Sequence, residues 1–109
     1  MLGVRGDIDV ASESAFKSAI GEALASQPQA LVIDLLNVGF LGSVGIRVLL
    51  EAQERVGDDN RFAVVAHGPA AGRILQLLDF DELLAVHKTV EEALSWVSGL
   101  STDAHRRTQ

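Results

Sequence analysis

Two short, almost continuously apolar runs, "ALVIDLLNV" (30–38) and "RFAVVAH" (61–67), flank a segment with helical spacing, and nothing else in the chain limits its fold so tightly. Runs of this length, rich in β-branched residues and without polar alternation, read as strands buried on both faces. Such strands belong to parallel sheets, whose neighbours are joined by crossover helices. The remaining segments fit that alternation. "MLGVRG" supplies at most a short strand, "DID" a polar turn, and Ser12 a natural N-cap for a helix in which Ala15, Phe16, Ala19, Ile20, Ala23 and Leu24 recur at helical spacing. A second helix begins near Ser43 and ends at "GDDN". Gly68-Pro69 is expected to start a third, with proline at its first position and Ile74, Leu75 and Leu78 turned inward. "ELLAVH" reads as a short last strand. Thr89 and Glu92 form a capping box for a last helix with Ala93, Leu94 and Val97 on its apolar face. The expected architecture is therefore α/β: a single domain over 1–99 with a mainly parallel four-stranded sheet and alternating helices, followed by a flexible tail at 100–109.

Composition narrows the function. At 109 residues there is one core and no room for two. A formal net charge of -6, with no Lys/Arg cluster or aromatic row, opposes binding to a phosphate backbone, so nucleic acid is not an expected partner. The absence of cysteine removes disulfides, thiolate nucleophiles and cysteine-ligated zinc. No signal-peptide pattern and no apolar run of membrane-spanning length occur, which makes the cytoplasm the expected compartment.

Catalytic groups are sparse. His67, His87 and His105 have no metal-ligand partner at short spacing and read as solvent-facing loop residues. Asp7 and Asp9 form a pair of carboxylates in a turn, a place that favours Asp for conformational reasons alone. "GSVG" (42–45) lacks the length and the lysine of a phosphate-binding loop. No catalytic residue, metal site or cofactor is expected.

What remains is the surface of the second helix. At about 100° per residue, Val48, Leu49, Ala52 and Val56 share one side, while Arg47, Glu51 and Glu54 form a polar ridge on the other, with Val44 at its border. Ser43 stands where the loop becomes helix. As an N-cap its removal would cost about 0.5–2 kcal/mol. A phosphate there would also be tolerated, because the helix N-terminus favours negative charge.

The segments "GDIDVASESAFKSAI", "ALVIDLLNVGFLGSVGIRVLLEA" and "HGPAAGRILQLLDFDELLAVHKTVEEAL" resemble three successive signatures of the STAS domain of bacterial anti-sigma factor antagonists, over about residues 4–98. That family reads Asp-Ser-Ser/Thr-Gly at the loop-to-helix junction, the first serine being the phosphoacceptor. Ser43 occupies the acceptor position and Gly45 the glycine. The nearby family turn Gly-Glu-Leu-Asp is matched by Gly6, Asp7, Ile8 and Asp9, and Asp9 stands for the acidic residue associated with phosphorylation.

The resemblance implies a regulator without chemistry of its own. An antagonist of this kind binds an anti-sigma factor, usually a GHKL-type serine kinase, and so frees a sigma factor for transcription. Phosphorylation of the serine with ATP held by the kinase ends the interaction, and a phosphatase restores it. Asp7, Asp9, Gly42, Ser43, Val44, Arg47 and Glu51 are the implied partner-binding residues, with Ser43 the switch. Gly42 replaces the family aspartate, removing a carboxylate and adding backbone freedom. Val44 replaces the second hydroxyl residue with an apolar contact. The family also has a further N-terminal strand, without which one sheet edge would be short or open. Two other classes stay open at this point. One is a STAS subunit docked without phosphorylation in a stressosome-like or lipid-transport assembly; the other is a nucleotide-binding role built on Asp7, Asp9 and the Ser43 loop.

Overall fold

Strand and helix alternate throughout the computed structural model, which describes residues 1–26, 28–57 and 61–98. The strands are β1 (Leu2–Ile8), β2 (Leu31–Leu41), β3 (Phe62–Val65) and β4 (Val86–His87). The helices are α1 (Glu13–Ala25), α2 (Ser43–Val56), α3 (Gly72–Leu77) and α4 (Val90–Ser98). The sheet order is β1-β2-β3-β4 and every pairing is parallel, which is the α/β architecture expected from the two apolar runs. The boundary expected after residue 99 and the tail at 100–109 lie outside the described residues.

Period-two alternation along the central strands divides the core between two faces. Leu31, Ile33 and Leu35 of β2 and Phe62 and Val64 of β3 pack with Phe16 and Ile20 of α1, Leu49 and Ala52 of α2, and Leu75 of α3. Val32, Ala63 and Val65 point the other way, against Ala93 and Trp96 of α4. Three helices therefore cover one face and α4 the other. Leu49 and Leu75 are wholly buried, so truncating either to alanine should cost about 2–5 kcal/mol. β1 is an edge strand, with no strand on its far side among the described residues.

Several details depart from the sequence-based expectations. β1 runs on through Asp7 to Ile8, because Ile8 is drawn into the core at 2% exposure and pairing continues to Ile8↔Leu41. The turn is consequently Asp9–Ser12. Ser12 occupies the N-cap position of α1, but its hydroxyl faces backward: it accepts from the Asp9 N–H at 3.0 Å and donates to the Asp7 carbonyl at 2.7 Å.

α3 starts at Gly72 rather than Pro69. The chain first turns back on itself, with Gly68 at φ +95° and the Arg73 N–H donating to the Gly68 carbonyl at 2.8 Å. The last strand shrinks to Val86–His87, because residues before it are held in turns by bonds from Leu84 N–H to Phe80 O and from Val86 N–H to Asp81 O. Leu78 and Leu94, expected inside, are exposed; Phe80 and Trp96 pack against the two core clusters.

Candidate functional site

β2 outruns its neighbour β3. Only Leu31–Asp34 pair with β3, whereas β1 follows β2 as far as Leu41, so the last turn of β2 projects as a two-stranded ribbon. α2 starts from its tip. The Gly42 N–H donates to the Ile8 carbonyl at 2.8 Å, and the Gly42 carbonyl accepts from the N–H groups of Gly45 and Ile46 at 3.0 and 3.2 Å. Gly42 is therefore the N-cap and Ser43 the first helical residue, one position later than a capping serine. At φ -84° and ψ 174° Gly42 has ordinary extended backbone, so conformational freedom is not what this glycine supplies. It leaves room instead: a Cβ there would lie 3.2 Å from the Phe40 ring and 3.3 Å from the Ile8 carbonyl oxygen.

Ser43 is exposed, and its hydroxyl makes no hydrogen bond among the described residues. The first turn of α2 contains no acidic residue, so the helix supplies no carboxylate of its own to offset the positive end of its dipole. Its unpaired first-turn N–H groups and an accessible hydroxyl make an arrangement that can accept a phosphoryl group. Two residues on, Gly45 lets the helix sit directly on the ribbon. A Cβ at Gly45 would come within 2.6 Å of Ile8 Cγ2 and 2.8 Å of Leu41 Cδ1.

The other sequence-predicted residues divide into two groups. Asp7, Gly42 and half-buried Val44 share the ribbon tip with Ser43, and Asp9 follows immediately in the turn. Asp7 is exposed; Asp9 is half-buried, and its carboxylate accepts from Ser12 N–H and Ser12 Oγ at 3.2 Å each. Arg47 and Glu51 lie roughly 6 and 12 Å farther along α2. Their charges are not a free ridge, because both engage α1: Arg47 Nη2 is 3.4 Å from Glu13 Oε2, and Glu51 Oε1 is 3.9 Å from Lys17 Nζ.

Two exposed apolar residues at the same end escaped the sequence analysis. Phe40, opposite Asp7, is 52% exposed, and Val10, in the turn after β1, is 78% exposed. An apolar residue inside a polar turn was a readable anomaly at Val10. Phe40 was hidden, because register shifts between β1 and β2 break the alternation that would have turned it outward visibly.

His67 is exposed as expected. His87 is not a loop residue: it ends β4, packs on Trp96 with ring centroids 5.5 Å apart, and its Nε2 is buried without a hydrogen-bond partner. Burial lowers its pKa from 6.5, against an opposing pull from Glu92. His105 lies outside the described residues. Among those residues no group of three or more His, Cys, Asp or Glu could hold a metal ion, and no helix is long and apolar enough to cross a membrane.

The family model of the STAS domain matches residues 1–93. The chain belongs to the STAS-domain family. Among curated STAS relatives it is 40% identical over 99 residues to the anti-sigma-F factor antagonist RsfB of Mycobacterium tuberculosis, covering 91% of this chain and 81% of RsfB. The anti-sigma-F factor antagonist RsfA of the same species is 33% identical over 100 residues, covering 87% of this chain and 77% of RsfA. A crystal structure of an anti-sigma factor antagonist from Mycobacterium paratuberculosis superposes with a TM-score of 0.83 at 42% identity, covering 88% of this STAS chain and 82% of that one.

Proposed function

We propose that this STAS-domain protein is an anti-sigma factor antagonist. It binds an anti-sigma factor through the ribbon tip and the start of α2, and so releases a sigma factor for transcription in the cytoplasm. Contact residues are Asp7, Asp9, Gly42, Ser43, Val44, Arg47 and Glu51, joined by exposed Phe40 and Val10. It is a binding regulator rather than an enzyme. The anti-sigma factor is a GHKL-type serine kinase that phosphorylates Ser43 with its own ATP, and a phosphatase reverses the step.

The observation that carries this reading is Ser43 itself: an exposed, unbonded hydroxyl at a helix N-terminus without acidic residues, in a chain whose relatives are named as antagonists. A phosphoserine adds a charge of about -1.5 to -2. Here it would stand among Phe40, Val10 and Val44, whose burial against a partner would force that charge out of water. The desolvation cost opposes binding.

The test is capture of the partner by the unmodified protein, incubation of the complex with ATP, and intact-mass measurement of this chain. One added phosphate that disappears in Ser43→Ala, with binding weakened in Ser43→Glu, is the expected result. A GHKL-type partner that never phosphorylates Ser43 removes the switch and leaves the antagonist. A transporter or scaffold partner in its place overturns the reading in favour of constitutive docking. Because the Ser43 hydroxyl caps nothing, Ser43→Ala should change stability by less than about 0.5 kcal/mol, below the loss expected of an N-cap.

A further inference from the structure

The helices leave the sheet on the same face after β1, β2 and β3, but α4 crosses to the opposite face after β4. The loops following β3 and β4 therefore part company above adjacent strand ends. In open α/β sheets this is where a crevice forms and where ligands bind. A cleft of about 490 Å³ occupies that point here, within the usual size range of small-molecule sites. It lies well away from Ser43: Asp34 is level with Val65 at the end of β3, and Leu41 stands roughly 20 Å farther along β2.

Two basic residues line the cleft. Arg73 on α3 and Lys88 just beyond β4 both line it, and neither is ion-paired among the described residues. His67, His87 and Gln76 also line it, and Asp81 is the one carboxylate among the lining residues. The lining thus carries two cations against one carboxylate in a chain whose net charge is -6, with Glu92 beside it accepting from the Lys88 backbone N–H at 3.4 Å. The floor is backbone at close approach. A Cβ at Gly72 would come within 2.7 Å of the His67 Cα, so the loop after β3 folds directly onto the first turn of α3.

We propose that this cleft binds the phosphate group of a small molecule, with Arg73 and Lys88 as its two charged donors. A guanidinium and an ammonium group lining one cleft suit a dianion that offers several acceptor oxygens, and each charge-assisted bond is stronger than a neutral one. The site does not depend on the antagonist reading, since none of its residues belongs to the ribbon tip.

The experiment is an amide NMR titration of the full chain with inorganic phosphate, against sodium chloride at equal ionic strength, repeated with glycerol 3-phosphate. Saturable displacement of the Gly68, Gly72, Arg73 and Lys88 resonances is expected with phosphate and not with chloride. Arg73→Gln and Lys88→Gln should each raise the midpoint at least about fivefold. Arg5→Gln, at the opposite edge of the sheet with the same loss of charge, should leave it unchanged. The exposed positions of Arg73 and Lys88 keep both variants folded, which their own spectra verify. A lower midpoint for glycerol 3-phosphate would identify a phosphorylated metabolite as the ligand, and an equal midpoint free phosphate. Shifts that never saturate, that chloride reproduces, that centre on Ser43, or that survive both glutamine variants would overturn the proposal.

Discussion

Asp7 on β1 and Phe40 on β2 are register partners, which sets an exposed acidic residue and a half-exposed aromatic residue across from each other at the ribbon tip that launches α2. Half of the ring already lies in water, so Phe40→Ala should cost about 1 kcal/mol of stability or less. An aromatic side chain close to Ser43, the proposed switch, is suited to anchoring the partner. The same substitution should weaken anti-sigma factor binding by more than about 1 kcal/mol, at least fivefold. Urea unfolding and titration calorimetry on one preparation separate the two effects; a loss of affinity no greater than the loss of stability would remove Phe40 from the interface.

Arg47 and Glu13 bridge α2 and α1 at 3.4 Å, with side-chain exposures of 63% and 30%. Exposed pairs of this kind contribute about 0.2–1 kcal/mol and weaken with salt. A double-mutant cycle on unfolding, with Arg47→Ala and Glu13→Ala, should return a coupling below about 1 kcal/mol that shrinks at high ionic strength. Arg47→Ala should then reduce partner affinity by more than it reduces stability. Equal losses would assign the arginine to helix packing alone.

Gly45 marks the tightest approach between α2 and the ribbon. The contacts a Cβ would meet, Ile8 Cγ2 at 2.6 Å and Leu41 Cδ1 at 2.8 Å, belong to buried side chains with little room to retreat. Alanine favours helix, but here overpacking should prevail: Gly45→Ala is expected to destabilise by about 1–3 kcal/mol. If Ser43 is the phosphoacceptor proposed above, the displaced helix start should also lower the rate of its modification. Chemical denaturation checks the first effect. An alanine variant as stable as the parent would mean that α2 can move away from the ribbon at no cost.

Much of this fold was legible because helical periodicity survives where a helix is long. On α2 the inward set Val48, Leu49 and Ala52 and the outward set Arg47, Glu51 and Glu54 emerged in the right phase. α3, with six described helical residues, is too short for the same reasoning, and Leu78 was placed inside although it is 48% exposed. Continuous apolar runs announced β2 and β3 but not which residues faced which helices, since alternation is invisible when both faces are apolar. Residue type also misled about hydroxyl geometry. Ser12 and Ser43 are both suited to capping, yet one bonds backward into its turn and the other sits one position inside its helix. The loop-to-helix junction at Ser43 was recognisable, but the two-stranded ribbon beneath it was not, because the turn residues Asp7 and Ile8 proved to be strand. The cleft that brings Arg73 and Lys88 together was not recognisable either, because it depends on α4 crossing to the other face of the sheet.

His87 links stability to pH with a definite sign. Burial between the sheet and Trp96 disfavours its charged form and lowers its pKa from the ordinary 6.5, with Glu92 opposing in part. As pH falls below 6.5 the unfolded chain takes up this proton before the folded one does. The unfolded state then binds more protons, so stability declines with falling pH until the lowered folded value is passed. His87→Phe keeps an aromatic ring against Trp96 and removes both the titration and the unpartnered Nε2. Urea midpoints measured from about pH 8 to about pH 5 should fall more steeply for the parent chain than for this variant, with carboxylate contributions cancelling in the difference. If the two curves ran parallel through that window, the imidazole would have to titrate alike in the folded and unfolded chains, and its burial against Trp96 would carry no electrostatic cost.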